Sequence, residues 1–176
     1  PFAYIAMNTV IPLLPDLAAR FELSTRLAGF VGSVWMFARL GAFFLLWRWT
    51  RWHYRFGWLA AAFSLMIVSF AALLLMRELA VVVAAQIVFG GCVGLIYYSS
   101  LFYSMDVGHT KGEHGGMHEA LIGLGLFIGP AVGTASLRIS PSHPHAGTWA
   151  VSVLLGVGLL ALMAVYFKRK NYDRGQ

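Results

Sequence analysis

The chain has 176 residues, of which 59% are hydrophobic and 11% charged, and 13 lysines and arginines against 7 acidic residues leave a formal net charge of +6. Soluble domains carry about 25% charged residues, so this composition argues against a soluble enzyme or a solvent-facing binding domain and for a chain solvated by lipid. The single cysteine, Cys92, rules out an internal disulfide and reads as a small packing residue.

Six apolar runs fill the sequence, at 2–19, 27–47, 57–76, 79–104, 120–137 and 149–167. Each is near the ~20 residues that an α-helix needs to cross the hydrocarbon layer. None shows the period-two alternation of a transmembrane barrel strand, so the expectation is an all-α polytopic membrane protein. A soluble all-helical core is the alternative, against which stand several charge-free runs of such length. The chain opens at Pro1 with residues that already read as mid-helix, so it is expected to be part of a longer protein.

In the first run, Tyr4, Asn8, Ile11 and Pro15 share one helical face. Pro12 and Pro15 each remove a backbone donor, so this helix should bend or end nearby, and a bent helix beside a polar cavity suits a gate. The plainer reading of Asn8 is an amide bond to a neighbouring helix. Asp16 is expected near the outer end, solvated or capping. The second run holds Ser33, Trp35 and Arg39. A full charge at a helix centre costs ~2.5–3.5 kcal/mol even on the lower scales. Arg39 therefore either anchors an anionic substrate group or ion pair, or snorkels to the nearer interface. Trp35 lies one turn earlier on the same face.

The next connection carries Arg48, Arg51 and Arg55 among Trp47, Trp49, Trp52, Tyr54 and Trp58, the pattern of an interfacial aromatic belt against lipid headgroups. The third run has no ionisable or amide side chain. The fourth places Gln86, Gly90, Gly94 and Tyr97 near one stripe, and Gly90 to Gly94 is a G-x-x-x-G step that admits a close helix neighbour. Gln86 either contacts substrate or bridges helices. Tyr97 and Tyr98 point in different directions, so at most one faces a cavity centre.

His109, Glu113, His114, His118 and Glu119 follow. His114 and His118, at i and i+4, could serve one metal and resemble the H-x-x-x-H box of membrane desaturases, which makes a metal-dependent membrane enzyme one alternative. Gly115 and Gly116 weaken a helix there, and no further histidine boxes occur, so neither an enzyme, a metal nor another cofactor is expected. The favoured reading is a solvated loop with a helix entrance at His118 and Glu119, and a pH-sensitive gate at those residues is the alternative. The fifth run holds Gly125, Gly129, Pro130 and Gly133, a smooth face with a weak point, suited either to motion against a neighbour or to a static seam. The sixth run lacks ionisable and amide groups and ends on Lys168, Arg169, Lys170 and Arg174.

Basic residues favour the connections after runs two, four and six; the other face holds Arg20, Arg26, Arg77 and Arg138. The positive-inside rule then places both termini in the cytoplasm, with a bacterial inner membrane as the expected location. The net charge reads as topology rather than as a nucleic-acid signal. Polar groups gather in runs one, two, four and five, so these are expected to surround a polar interior, with three and six toward lipid, as a three-plus-three repeat.

At these residues the chain resembles one half of a major facilitator superfamily transporter. Asn8 through Pro15, then Leu23-Ser24 and Ala28-Gly29, resemble the opening helix and loop of either half. The G-x-x-x-G-P-x-x-G run from Gly125 to Gly133 is similar to the family's helix-five antiporter signature, with Thr134 in place of the final glycine. Gly41 to Arg55 occupies the place of the loop motif between helices two and three but lacks its acidic residue, which favours the carboxy-terminal half; the Gly-Pro signature pulls toward the amino-terminal one, and the carboxy-terminal half is the expectation. The resemblance implies twelve helices in two pseudo-symmetric halves that rock about a central site, with a small solute, the other six-helix half and membrane lipids as partners. Tyr4, Asn8, Trp35, Arg39, Gln86 and Tyr97 are the cavity candidates; Pro12, Pro15, Gly125, Gly129, Pro130, Gly133, His118 and Glu119 are the candidates for motion and gating. A non-transporting membrane scaffold is the remaining alternative.

Overall fold

The structure, a computed structural model, describes residues 1–106 and 111–174, the side chains of residues 111–114, 169 and 172–174 excepted. Among the described residues the regular structure is helical, without strands, and six helices are long and apolar enough to cross a membrane. The chain is accordingly a polytopic membrane protein. The helices are α1 (Phe2–Arg20), α2 (Thr25–Arg48), α3 (Phe56–Leu75), α4 (Leu79–Asp106), α5 (Lys111–Ile139) and α6 (Ala146–Arg174).

The prolines act on α1 as their chemistry requires. The α-helix holds to Val10, tightens into a 3-10 turn over Ile11–Leu13, and resumes at Leu14 with Pro15 and Asp16 in its first turn. Those positions tolerate a missing N–H and favour an acidic side chain near the helix dipole's positive end. At the far end, the Arg20 guanidinium donates to the carbonyls of Leu74 (3.3 Å) and Met76 (3.1 Å), closing the C-terminus of α3. Pro130 lies within α5 without ending it. α5 begins at Lys111 and α6 runs to Arg174, well beyond the apolar runs, because hydropathy marks the lipid-facing length of a helix rather than its hydrogen-bonded length.

Two glycine seams organise the bundle. α2 lies on α4, where a Cβ at Gly90 would collide with the Trp35 carbonyl and one at Gly94 would stand 2.9 Å from the Ala42 methyl. α1 lies on α5, where a Cβ at Gly125 would stand 2.6 Å from the Pro1 carbonyl oxygen and one at Gly129 2.5 Å from that of Ile5. Gly133, expected on the same face, instead meets Gly147 at the start of α6. Such bare backbone is what lets membrane helices approach closely.

α3 departs from the expectation that it faces lipid. It packs against α4 and α6 and turns inward Ala62, Phe63, Met66, Phe70, Leu73 and Leu74, all buried, while Leu65 and Val68 stay exposed. Lipid tails and a protein core are equally apolar, so a lack of polar groups cannot tell the two apart. α6 contributes Val151 and Leu155 to this core and leaves Val153, Val157, Leu160 and Val165 outside.

The basic connection between α2 and α3 is docked rather than spread on the interface. Trp52 is 1% exposed, donates from Nε1 to the Leu46 carbonyl at 3.3 Å, and packs edge-on against Tyr98 and Phe102 of α4. The His53 ring stacks on Phe102 at 4.2 Å. Tyr54, in the left-handed region at φ 56°, donates its N–H to the Tyr103 hydroxyl at 2.7 Å and its phenol to Asp106. That carboxylate hydrogen bond, then desolvation, raises the Tyr54 pKa above its ordinary value. Trp47, Trp49, Tyr54 and Trp58 remain exposed, as a belt requires, but Trp52 has turned inward.

Candidate functional site

Arg39 lies nine residues before the end of α2 at Arg48, which at 1.5 Å per residue puts its Cα about 14 Å from that end. Its guanidinium carbon stands 5.1 Å from the Tyr97 ring centre, 5.3 Å from Phe43 and 6.0 Å from Tyr4, within cation–π range of each. One terminal nitrogen is 3.8 Å from the Met7 sulfur, and the buried Nε has no hydrogen-bond partner. Among the described residues the ion-pair geometry is confined to His118 and Glu119, so no described carboxylate neutralises Arg39. The side chain rests among rings instead of reaching for the interface.

Tyr4 and Tyr97 meet edge to face at 6.0 Å and, beyond the guanidinium, border a hollow of about 210 Å³ at the basic end of the bundle. Its walls come from five helices: Phe2 and Tyr4 of α1, Phe63 of α3, Tyr97 and Ser100 of α4, His118 and Ile122 of α5, Leu162 of α6. The helices expected toward lipid, α3 and α6, thus contribute to its apolar wall alongside Phe2, Ile96 and Ile122. Ser100 Oγ and His118 Nε2 share a hydrogen bond of 2.9 Å, and the His118 ring stands 5.7 Å from Tyr97. Nδ1 of His118 is 3.8 Å from Glu119, whose side chain is largely exposed.

The remaining candidates lie elsewhere. Asn8 sits one turn along α1 from Tyr4, half-buried, its amide nitrogen donating to the Tyr4 carbonyl at 2.9 Å within the helix. Trp35 is buried in the α2–α4 seam against Phe89, with no partner for Nε1. Gln86 is 1% exposed near the opposite end, beside Leu17 and Val31, and its Oε1 lacks a partner. Neither Trp35 nor Gln86 reaches the hollow. Pro12 and Pro15 are exposed at the break in α1, Gly125 and Gly129 hold the α1 seam, and Pro130 is half-buried beside it. His109 lies outside the described residues, as does the His114 side chain; among the described residues no cluster of three metal-ligating side chains occurs.

Sequence reading missed Met7, Phe43, Phe63 and Leu162 at this site. Met7 and Phe43 were within reach of helical spacing, at i+3 from Tyr4 and i+4 from Arg39. Phe63 and Leu162 carry no signal that separates them from other apolar residues.

The contacts sort by kind. Glycine seams join α2 to α4 and α1 to α5, whereas Arg39–Tyr4, Arg39–Met7, Tyr4–Tyr97 and Ser100–His118 all run from one pair to the other. Chemically, the arrangement offers a half-buried guanidinium with an unpaired Nε, a hydroxyl–imidazole pair and an apolar hollow. Comparison with protein-family models, curated proteins and solved structures returns no match for this chain.

Proposed function

We propose that this chain is one six-helix half of a secondary transporter of the major facilitator type, moving a small solute by alternating access. The single observation that carries the reading is the unneutralised Arg39 beside a hollow that five helices share. A lone guanidinium at that depth is costly against hydrocarbon, so its face of the bundle belongs to water, solute or a second bundle. The helix pairing adds support for a three-plus-three repeat. Exchanging α1 with α4, α2 with α5 and α3 with α6 turns the α2–α4 contact into α5–α1 and α3–α6 into itself, while the α5–α6 contact has no α2–α3 counterpart, so the symmetry is partial. Transporter halves built from inverted repeats have this exchange symmetry, with the solute site near the repeat interface. Under the positive-inside rule, the basic end that carries the hollow is cytoplasmic, and so are both chain termini.

The test is uptake by the intact protein in proteoliposomes across a panel of solutes, with and without an imposed proton gradient. Saturable, protein-dependent flux that falls at least about tenfold in Arg39→Gln, a loss of about 1.4 kcal/mol or more, is expected. Arg39→Gln and Asn8→Ala variants with undiminished flux would mean that the polar face is structural. A chain that supports its cell function with no flux of any solute would be a scaffold.

A further inference from the structure

We infer that the solute is an organic monoanion with a compact apolar body, its carboxylate seated on the Arg39 guanidinium and its body in the hollow bordered by Tyr4, Tyr97, Phe63 and Leu162. This deepens the transport reading above and rests on it, adding the chemical class of what is carried. A guanidinium presents five N–H groups in a planar fork, and at Arg39 the described contacts are a sulfur at 3.8 Å and three aromatic faces, with Nε buried and unpaired. Rings attract a cation but offer no oxygen. A carboxylate supplies two oxygens in the spacing that the fork matches.

Charge sets the valence. Arg39 is the one fixed charge deep within a described span, and in a low-dielectric surround a single negative charge cancels it, whereas a dianion would bring its own uncompensated charge out of water. The hollow then sets the body. Phe2, Phe63, Ile96, Ile122 and Leu162 make most of its wall apolar, which penalises a densely hydroxylated solute such as a sugar. Its 210 Å³ exceeds the roughly 150 Å³ of an engineered apolar cavity that binds benzene, room for one aromatic ring or a short branched chain. Tyr4 and Tyr97 belong to both parts, touching the guanidinium and lining the hollow. Arg39 itself does not line the hollow and the two rings touch edge to face at 6.0 Å, so a molecule with its head on the guanidinium and its body in the hollow parts that pair as it binds. Ser100 and His118, at the hollow's polar edge, can accept a solute substituent.

Benzoate, benzamide and benzylammonium share the ring and differ in charge, so together they test the claim in the intact protein held in lipid nanodiscs, by calorimetric titration. Benzoate should bind saturably and about tenfold or more tightly than benzamide, and benzylammonium should not bind. Arg39→Gln should remove the preference for benzoate over benzamide, and Arg39→Lys should restore part of it, because charge returns without the fork. Equal binding of benzoate and benzamide by the wild type overturns the inference whether or not the variants fold, as does full benzoate affinity in Arg39→Gln. Benzoate binding without uptake in proteoliposomes would defeat the transport reading and leave the site standing. Uptake of a sugar or cation with no benzoate binding would defeat the site and leave transport.

Discussion

Gly90 and Gly91 are neighbours on α4 with opposite surroundings, and alanine at each gives a sharp test of the α2–α4 seam. A Cβ at Gly91 meets nothing within 4 Å, so Gly91→Ala only removes glycine's extra backbone freedom and should stabilise by up to about 1 kcal/mol. A Cβ at Gly90 would strike the Trp35 carbonyl oxygen and stand 2.9 Å from the Ala38 methyl. The obstacle is helix backbone, not the end of a flexible side chain, so α2 must move away as a body. Overpacking of that kind costs about 1–3 kcal/mol. The backbone gain is common to both variants, so they should differ by the overpacking cost, about 1–3 kcal/mol. Because Arg39 sits one turn from Trp35, the same displacement draws its guanidinium from Tyr4 and Met7, and Gly90→Ala should lose flux as well as stability. Unfolding of each purified variant by sodium dodecyl sulfate in mixed micelles, followed by helical circular dichroism, measures the difference. Equal midpoints, or a less stable Gly91→Ala, would refute the close approach of α2 and α4.

The α1–α5 seam makes a parallel case: Gly129→Ala should lower uptake about tenfold or more, the effect of about 1.4 kcal/mol, while Gly123→Ala, with open space at its Cβ, should leave uptake unchanged. Trp52→Ala removes a fully buried indole and should destabilise by about 3–5 kcal/mol in the same detergent titration, where an indole merely resting on lipid would cost far less. The docked loop should also respond to alkali. The neutral Tyr54 phenol donates to Asp106, so that contact is held below tyrosine's ordinary value of 10.0 and lost as the pH climbs through the raised one. A spin label at Thr50→Cys, in a Cys92→Ser background, should become mobile over that rise, and Tyr54→Phe should make it mobile at every pH.

Much of the fold was legible because lipid imposes blunt rules. Twenty apolar residues without a charge can do little else than form a spanning helix, and Pro12 with Pro15 broke α1 where the missing donors predicted. The glycine pairs at Gly90/Gly94 and Gly125/Gly129 marked both seams, since bare backbone on a membrane helix attracts a partner. What failed was inference from what a helix lacks. The missing polar groups of α3 suggested lipid, yet Phe63, Met66 and Phe70 fill the centre of the bundle. Trp52 looked like its neighbours Trp49 and Trp58, and only tertiary contact with Tyr98 and Phe102 separates it from them. Trp35 and Gln86 share stripes with Arg39 and Tyr97 in sequence, but α2 and α4 press those stripes together over much of their length. A shared stripe thus holds buried seam residues and hollow-lining ones alike.

The division between seams and polar contacts bears on how such a bundle could move. Within each pair, α2 with α4 and α1 with α5, backbone rests on backbone, and separation would open voids along packed helix surfaces. Between the pairs, on the side of the hollow, the joints are a cation over rings and beside the Met7 sulfur, worth about 0.5–2 kcal/mol, the edge-to-face Tyr4–Tyr97 pair, worth about 0.5–1.5 kcal/mol, and one serine–histidine hydrogen bond, worth about 0.5–1.5 kcal/mol. Parting the pairs at the hollow therefore breaks only a few weak contacts, and the polar groups among them gain something from solvent: Arg39 recovers hydration, and Ser100 and His118 find water. A bound carboxylate would replace those contacts with stronger ones while its apolar body keeps the walls of the hollow together. Opening and closing of the site would then be coupled to its occupancy through Arg39, the residue that α2 extends across the joint toward Tyr4 and Met7 of α1.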